Sequence, residues 1–204
     1  MDEVKTRIIS GADELFLRFG VKSITMDEIA KSIGMSKKTI YQHFNDKDEL
    51  VKLVVEENIR DQEIQVQLIQ TTAKDPIDEI LKFSEYMRSL FANMSPFLLM
   101  EIQRYYPKAF EIYLSFKEAC IISSIKNNMK WGMDMGYYRP DINVEVLSRL
   151  RMEEVEWGFD PKVFKEKVHL DEIQVQLIEH FLYGICTLKG HKLINKYKQI
   201  QEEE

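Results

Sequence analysis

An all-α fold with a small helix-turn-helix head is predicted from three observations. Apolar residues recur at spacings of three and four through most of the chain, which is the period of a helix with one buried side. Gly20, Gly34, Pro76, Pro96, Pro107 and Gly136 stand singly between such stretches, where helices stop or restart. The run from Thr25 to Leu50, TMDEIAKSIGMSKKTIYQHFNDKDEL, packs two short capped helices and the start of a third into twenty-six residues. That is helix-turn-helix spacing.

The first helix runs from Glu3 to Phe19, with Val4, Ile8, Ile9, Ala12, Leu15, Phe16 and Phe19 as one apolar stripe and Gly20 as its end. Thr25 caps the second, and Glu28 three positions later completes a capping box, so this helix runs from about Met26 to Ile33 until Gly34 stops it. Ser36 caps the third, through Lys37, Lys38, Thr39, Ile40, Tyr41 and His43. Ile29, Ile33, Met35, Ile40 and Phe44 supply the apolar side that locks the two together. Between Ala30 and Asn45 there is no acidic residue, while Lys31, Lys37 and Lys38 are positive and Lys47 follows. With Ser36, Lys37, Lys38 and Thr39 at its positive end, such a helix suits phosphates and the base edges of a major groove. A capped two-helix corner with a solvated basic face is the alternative.

Asp46 with Glu49 starts a helix from Lys47 to about Thr71, roughly 37 Å long at about 1.5 Å per residue, because neither Gly nor Pro occurs between Gly34 and Pro76. It contains EIQVQLI at 63–69, which returns at 172–178; one short match does not make a repeat architecture, and both copies are read as helical. Asp75-Pro76 opens a helix to about Asn93, Ser95-Pro96 another to near Tyr106, and Pro107 a longer one to about Met135. GYYRPDIN at 136–143 is a turn-rich connection, after which Asn143 caps a helix from Val144 to about Trp157. GFDPKVF breaks the chain there. The last major helix runs from about Asp171 to Leu188 and ends at Gly190, before an amphipathic tail.

A chain of 204 residues, 45% apolar and 30% charged, suits one or two globular domains with a real core. No apolar run approaches the roughly 18 residues of a membrane span, and MDEVKTRIIS is too charged for a signal peptide, so a cytoplasmic location is expected. Cys120 and Cys186 sit in apolar helical surroundings and are expected as buried thiols. There is no Gly-rich phosphate loop, no G-x-S-x-G and no H-E-x-x-H, and His43, His169, His180 and His191 are scattered. Neither an enzyme, a metal site nor a cofactor is therefore expected. The net charge of −6 and the eight Lys or Arg against nine Asp or Glu within residues 1–50 mean that attraction to phosphate must come from the local lysine cluster.

With the amphipathic helix before it, the run GVKSITMDEIAKSIGMSKKTIYQHFNDKDEL resembles the TetR family of ligand-responsive repressors. The detailed resemblance covers about the first fifty residues, and the remainder is similar in length and helical texture. It implies a helix-turn-helix DNA-binding domain over 1–46, a linking helix over 47–71, and within 47–204 an all-helical domain for effector binding and dimerisation. Position by position, Lys37, Lys38 and Thr39, next to Ser36, fall where the family contacts bases or nearby phosphates. Tyr41, His43 and Lys47 fall where it contacts the DNA backbone, and Thr25 where a residue caps onto a phosphate. Many members carry Gly where this chain has Lys38, so no relative's base preference can be borrowed.

The helices between 75 and 135 are rich in aromatic and Met residues. Phe83, Tyr86, Met87, Phe91, Met100, Tyr105, Tyr113, Phe116 and Trp131 are candidate lining for a small apolar or aromatic ligand, against the alternative of a filled core. In the family the two helices before the tail pair with their copies, which places Leu177, Ile178, Phe181 and Ile185 at a homodimer interface. The function so implied is a transcriptional repressor released from a near-palindromic operator on double-stranded DNA by a small-molecule effector. A DNA-bound structural protein without an effector is the alternative.

Overall fold

The computed structural model describes residues 3–160, 162–164 and 168–200. In order along the chain they form α1 (Glu3–Phe19), α2 (Met26–Ser32), α3 (Lys37–His43), α4 (Lys47–Thr72), α5 (Pro76–Phe91), α6 (Leu98–Tyr105) and α7 (Pro107–Phe116), then a π-helical turn at Lys117–Ile122 and α8 (Ser123–Asp134). The helices α9 (Val144–Trp157), α10 (Leu170–Ile185) and α11 (Leu188–Lys198) follow. The described residues contain no strand, only an isolated antiparallel bridge between Tyr138 and Cys186. They divide into two compact units.

The first unit takes the chain up to Gln62 together with Asn93–Phe116. Its core is built on the predicted stripe of α1, Ile8, Ile9, Ala12 and Phe16, which meets Ile29 and Ala30 of α2, Ile40 and Phe44 around α3, and Leu50, Val51, Val54 and Val55 of α4. Leu98 and Ile102 of α6 and Ala109 of α7 complete it. With 26 residues, α4 is roughly 39 Å long, and from Glu63 onward it belongs to the second unit.

The second unit takes Glu63–Ala92 and the chain from Lys117 onward. Ile77 and Ile80 of α5 pack with Ile178, Phe181, Leu182 and Ile185 of α10, and Met129, Tyr138, Ile142 and Ile194 fill the remainder. Tyr138 is the largest of its fully buried side chains, and its hydroxyl donates to the Pro76 carbonyl at 2.9 Å and to Asn128 Oδ1 at 3.0 Å. Asn128 Nδ2 donates to the same carbonyl at 2.9 Å. The Tyr138 ring lies against Gly132, where a Cβ would come within 1.9 Å of it. Burial pushes the Glu79 carboxyl up to about 6, with a hydrogen bond from Asn128 acting the other way. Gln174 of α10 is fully buried as well; its Nε2 donates to the Val155 carbonyl at 2.8 Å, while its Oε1 accepts no hydrogen bond.

Three stretches differ from the sequence-based expectation. Residues 95–97 form a turn rather than the start of a helix, because the Ser95 N–H is drawn to the Leu17 carbonyl at 2.6 Å. The helix expected from Pro107 to Met135 is interrupted by the π-helical turn at Lys117–Ile122, a wider coil for which neighbouring residues carry no strong signal. The last long helix stops at Ile185, where extended Cys186 pairs with Tyr138 and Thr187 caps a new helix through the Gly190 N–H at 3.2 Å. Gly190 does not terminate a helix. It lies inside α11, where a Cβ would fall 2.3 Å from the Tyr137 carbonyl oxygen, so glycine is required by close backbone approach.

Replacing Tyr138 by Phe removes the donor to Pro76 and Asn128 while keeping the ring, and should destabilise the protein by about 1–3 kcal/mol. The check is the shift of the urea unfolding transition followed by circular dichroism, with Gly132→Ala shifting it in the same direction by overpacking.

Candidate nucleic-acid interface

The turn into α2 begins at Gly20, whose φ of +78° lies where glycine alone is unstrained. Thr25 then forms the predicted capping box: its Oγ1 accepts from the Glu28 N–H at 3.2 Å, and its own N–H donates to Glu28 Oε2 at 2.7 Å. Its hydroxyl also donates to Glu28 Oε2 at 2.8 Å. These bonds from Thr25 hold the Glu28 carboxyl below its ordinary range. At α3, Ser36 Oγ accepts from the Thr39 N–H at 3.1 Å and shares a 2.8 Å hydrogen bond with Thr39 Oγ1. Both caps are in place, so the two short helices start where the sequence says.

Ile40, fully buried, anchors α3 from its inner side, and Lys37, Lys38, Tyr41 and Gln42 are exposed. At spacings of one and four these residues share one face of the helix. Tyr41 is 46% exposed, and Thr39 and His43 are half-buried beside this face. Lys37 Nζ lies 3.0 Å from Asp27 Oδ1, and that hydrogen bond raises the pKa of the ammonium. The pair is exposed, hence weak, and easily traded for a phosphate. Gln42 is missing from the residues singled out in the sequence, although its amide can pair with an adenine edge. Arg7 Nη2 donates to the Ile33 carbonyl at 2.6 Å and Lys5 Nζ lies 5.4 Å from the Phe44 ring centre, so α1 braces the ends of both short helices.

Lys47, expected at the DNA backbone, is turned inward here. Its Nζ donates to the Val21 carbonyl and lies 5.8 Å and 5.7 Å from the ring centres of Phe16 and Tyr106. Burial lowers its pKa against the pull of Glu101, Asp48 and Glu28. The ammonium is used inside the head.

The expected ligand lining is divided between the units: Met100, Tyr105, Tyr113 and Phe116 belong to the first, and Phe83, Tyr86, Met87, Phe91 and Trp131 to the second. Tyr105 and Met100 are exposed, Phe116 is buried, and Tyr113 is half-buried. In the second unit Phe91 packs edge-on against Phe159 at 5.3 Å, whereas Phe83, Tyr86, Met87 and Trp131 are half-buried. The residues expected at the dimer interface lie mostly inward. Ile178, Phe181 and Ile185 are buried in the core of their own unit and Leu177 is half-buried, so this side of α10 has little to offer a second chain. Apolar surface in this unit is found on α9 among other places, where Val146, Leu150 and Trp157 are 59%, 40% and 46% exposed at helical spacings of four and seven.

Among the described residues no group of His, Cys, Asp and Glu could hold a metal ion, and no helix is long and apolar enough to cross a membrane. Residues 8–54 match the family described as bacterial regulatory proteins, tetR family. The HTH-type transcriptional regulator UidR of Escherichia coli (strain K12) is 27% identical over 191 residues, covering 90% of this chain and 93% of that protein. Among solved structures, a TetR-family transcriptional regulator from Agrobacterium tumefaciens superposes with a TM-score of 0.74 at 16% identity, covering 90% of this chain and 98% of that one. A transcriptional regulator from Saccharomonospora viridis, in complex with choline, gives a TM-score of 0.74 at 18% identity over 92% of this chain and all of that one, 100%. These likenesses extend beyond the head, over 90–92% of the chain.

Thr25→Ala removes one cap of α2 and should cost about 0.5–2 kcal/mol at neutral pH. Because the native pKa of Glu28 lies below its unfolded value, the box stabilises above the unfolded carboxylate pKa and loses this contribution as pH falls through the lowered native one. Denaturation of both proteins at neutral pH and below the carboxylate range should show the difference shrinking in acid.

Proposed function

We propose that the chain is a repressor of the TetR family of bacterial regulatory proteins, a reading supported by the match over residues 8–54 and the likeness to helix-turn-helix regulators, and that its α3 reads the major groove of a near-palindromic operator. The observation that carries this is the outer face of α3, where Lys37, Lys38, Tyr41 and Gln42 stand together in a stretch without an acidic residue. Lys38 suits a guanine edge and Gln42 an adenine edge, while Thr25, Ser36, Thr39, Tyr41 and His43 flank the groove at the level of the phosphates.

The repressor acts in the cytoplasm as a homodimer, with two heads about one DNA turn apart, roughly 34–36 Å, or a small multiple of it. Support for self-association comes from the apolar stripe of Val146, Leu150 and Trp157 on α9, one of the two helices that the family pairs across its two-fold axis. A small apolar or aromatic effector, bound among the half-buried Phe83, Tyr86, Met87 and Trp131 of α5 and α8, releases the operator. The choline held by the S. viridis regulator supports a small-molecule effector without naming this one. A hundredfold preference of the effector for the non-binding arrangement corresponds to about 2.7 kcal/mol of coupling, and operator must weaken effector binding by the same factor.

Selection on random DNA should return a near-palindromic site, and Lys38→Ala should lose about 1–3 kcal/mol at the base it reads and relax the preference there. An unchanged preferred site in both Lys37→Ala and Lys38→Ala rules out base reading by these lysines. For assembly, sedimentation of a Val146→Asp, Leu150→Asp double variant should show monomers that bind operator poorly. A monomer in the unaltered protein ends the dimer reading.

A further inference from the structure

Residues from three distant parts of the chain converge on the turn between α1 and α2. The peptide joining Val21 to Lys22 is held at both of its polar groups: the Val21 carbonyl accepts from Lys47 Nζ, at the start of α4, and the Lys22 N–H donates to Glu101 Oε2 of α6 at 2.8 Å. Both bonds are charge-assisted, the stronger kind. The same carboxylate closes over Gly20, where a Cβ would lie 2.6 Å from Oε2, and the glycine's φ of +78° strains any other residue there. Lys47 is steered by the rings of Phe16 and Tyr106, and the bond from the Ser95 N–H to the Leu17 carbonyl fastens the start of the 93–116 segment to the same end of α1.

A peptide plane held on opposite edges by a cation and an anion cannot rotate without losing one of them. This one stands three residues before Thr25, the cap that sets the direction of α2, and α2 in turn packs on α3. We propose that Glu101 and Lys47 are positioning residues for operator recognition: together they clamp the Val21–Lys22 peptide and thereby aim the helix-turn-helix, while touching no DNA. The proposal rests on the reading of α3 as the operator-binding helix. Because the two grips come from different helices, a displacement of α6 against α4 releases one grip and lets the head lose its aim with α3 itself unchanged.

The test uses the full-length protein with Lys47→Met, which keeps the stem between the rings and removes the donor, Glu101→Met, which removes the acceptor, the double variant, and Lys47→Arg, which restores a donor. Each of the first two is expected to weaken operator binding about tenfold, and the double variant no more than the weaker-binding single one, since either change frees the same peptide. The slope of log affinity against log salt should stay as in the unaltered protein, Lys47→Arg should recover most of the affinity, and the Lys22 amide should exchange with solvent faster in Glu101→Met. A salt slope shallower by about one in Lys47→Met assigns that lysine to a phosphate instead and overturns the proposal. So do additive losses, or a lowered melting temperature with unchanged affinity of the folded protein. If the unaltered protein selects no DNA, the underlying reading fails and takes the proposal with it. The Lys22 exchange rate then still reports whether the clamp itself exists.

Discussion

Seven-residue helices do not persist in water on their own hydrogen bonds, so α2 and α3 depend on keeping Ile29, Ile40 and Phe44 buried against α1 and the first turns of α4. Every outward feature of the head is secured from behind by that packing. Lys37, Lys38, Tyr41 and Gln42 need no rigidity of their own, since Ile40 fixes the rotation of the helix that carries them. Burial decides which residues face the solvent, and the caps at Thr25 and Ser36 decide where each helix begins.

What was legible in the sequence is what short-range chemistry determines. A threonine with a glutamate three residues on, or a serine followed by a short basic helix, carries its geometry in adjacent positions, and the stripe of α1 announces a buried side through spacing alone. The inward turn of Lys47 could not be seen in the same way. Its destination is a carbonyl twenty-six positions earlier, and Glu101 reaches its partner across 79 positions. A lysine beside a basic motif looks the same whether it will point at solvent or at a peptide. The broad apolar side of α10 was legible as apolar, but nothing in it says that α5 of the same chain covers Ile178, Phe181 and Ile185.

The repeated EIQVQLI isolates this limit. Both copies are helical, as capping and the absence of breakers predict, yet they bury different residues. At 63–69 Val66 and Ile69 are covered while Ile64 and Leu68 are more than half exposed; at 172–178 Ile173, Gln174, Val175 and Ile178 are covered. Seven identical letters specify a helix and leave its rotation to the neighbours. The division of the chain shows the same thing on a larger scale, since residues 93–116 join the core of the head across a long interval of sequence.

Gln174 and Gly158 carry this dependence into the history of the chain. The amide fills the volume that a Cβ at 158 would need, its Nε2 standing 2.0 Å from that position, and it leaves its own Oε1 without a partner, a loss of about 1–3 kcal/mol. A larger residue at 158 must therefore displace the Gln174 amide, and with it the bond to the Val155 carbonyl. A compact apolar residue at 174 removes the orphaned Oε1 and makes room at 158, at the cost of the bond to the Val155 carbonyl. The two positions are coupled by geometry, and among descendants of this protein a side chain at 158 should go together with loss of the glutamine at 174.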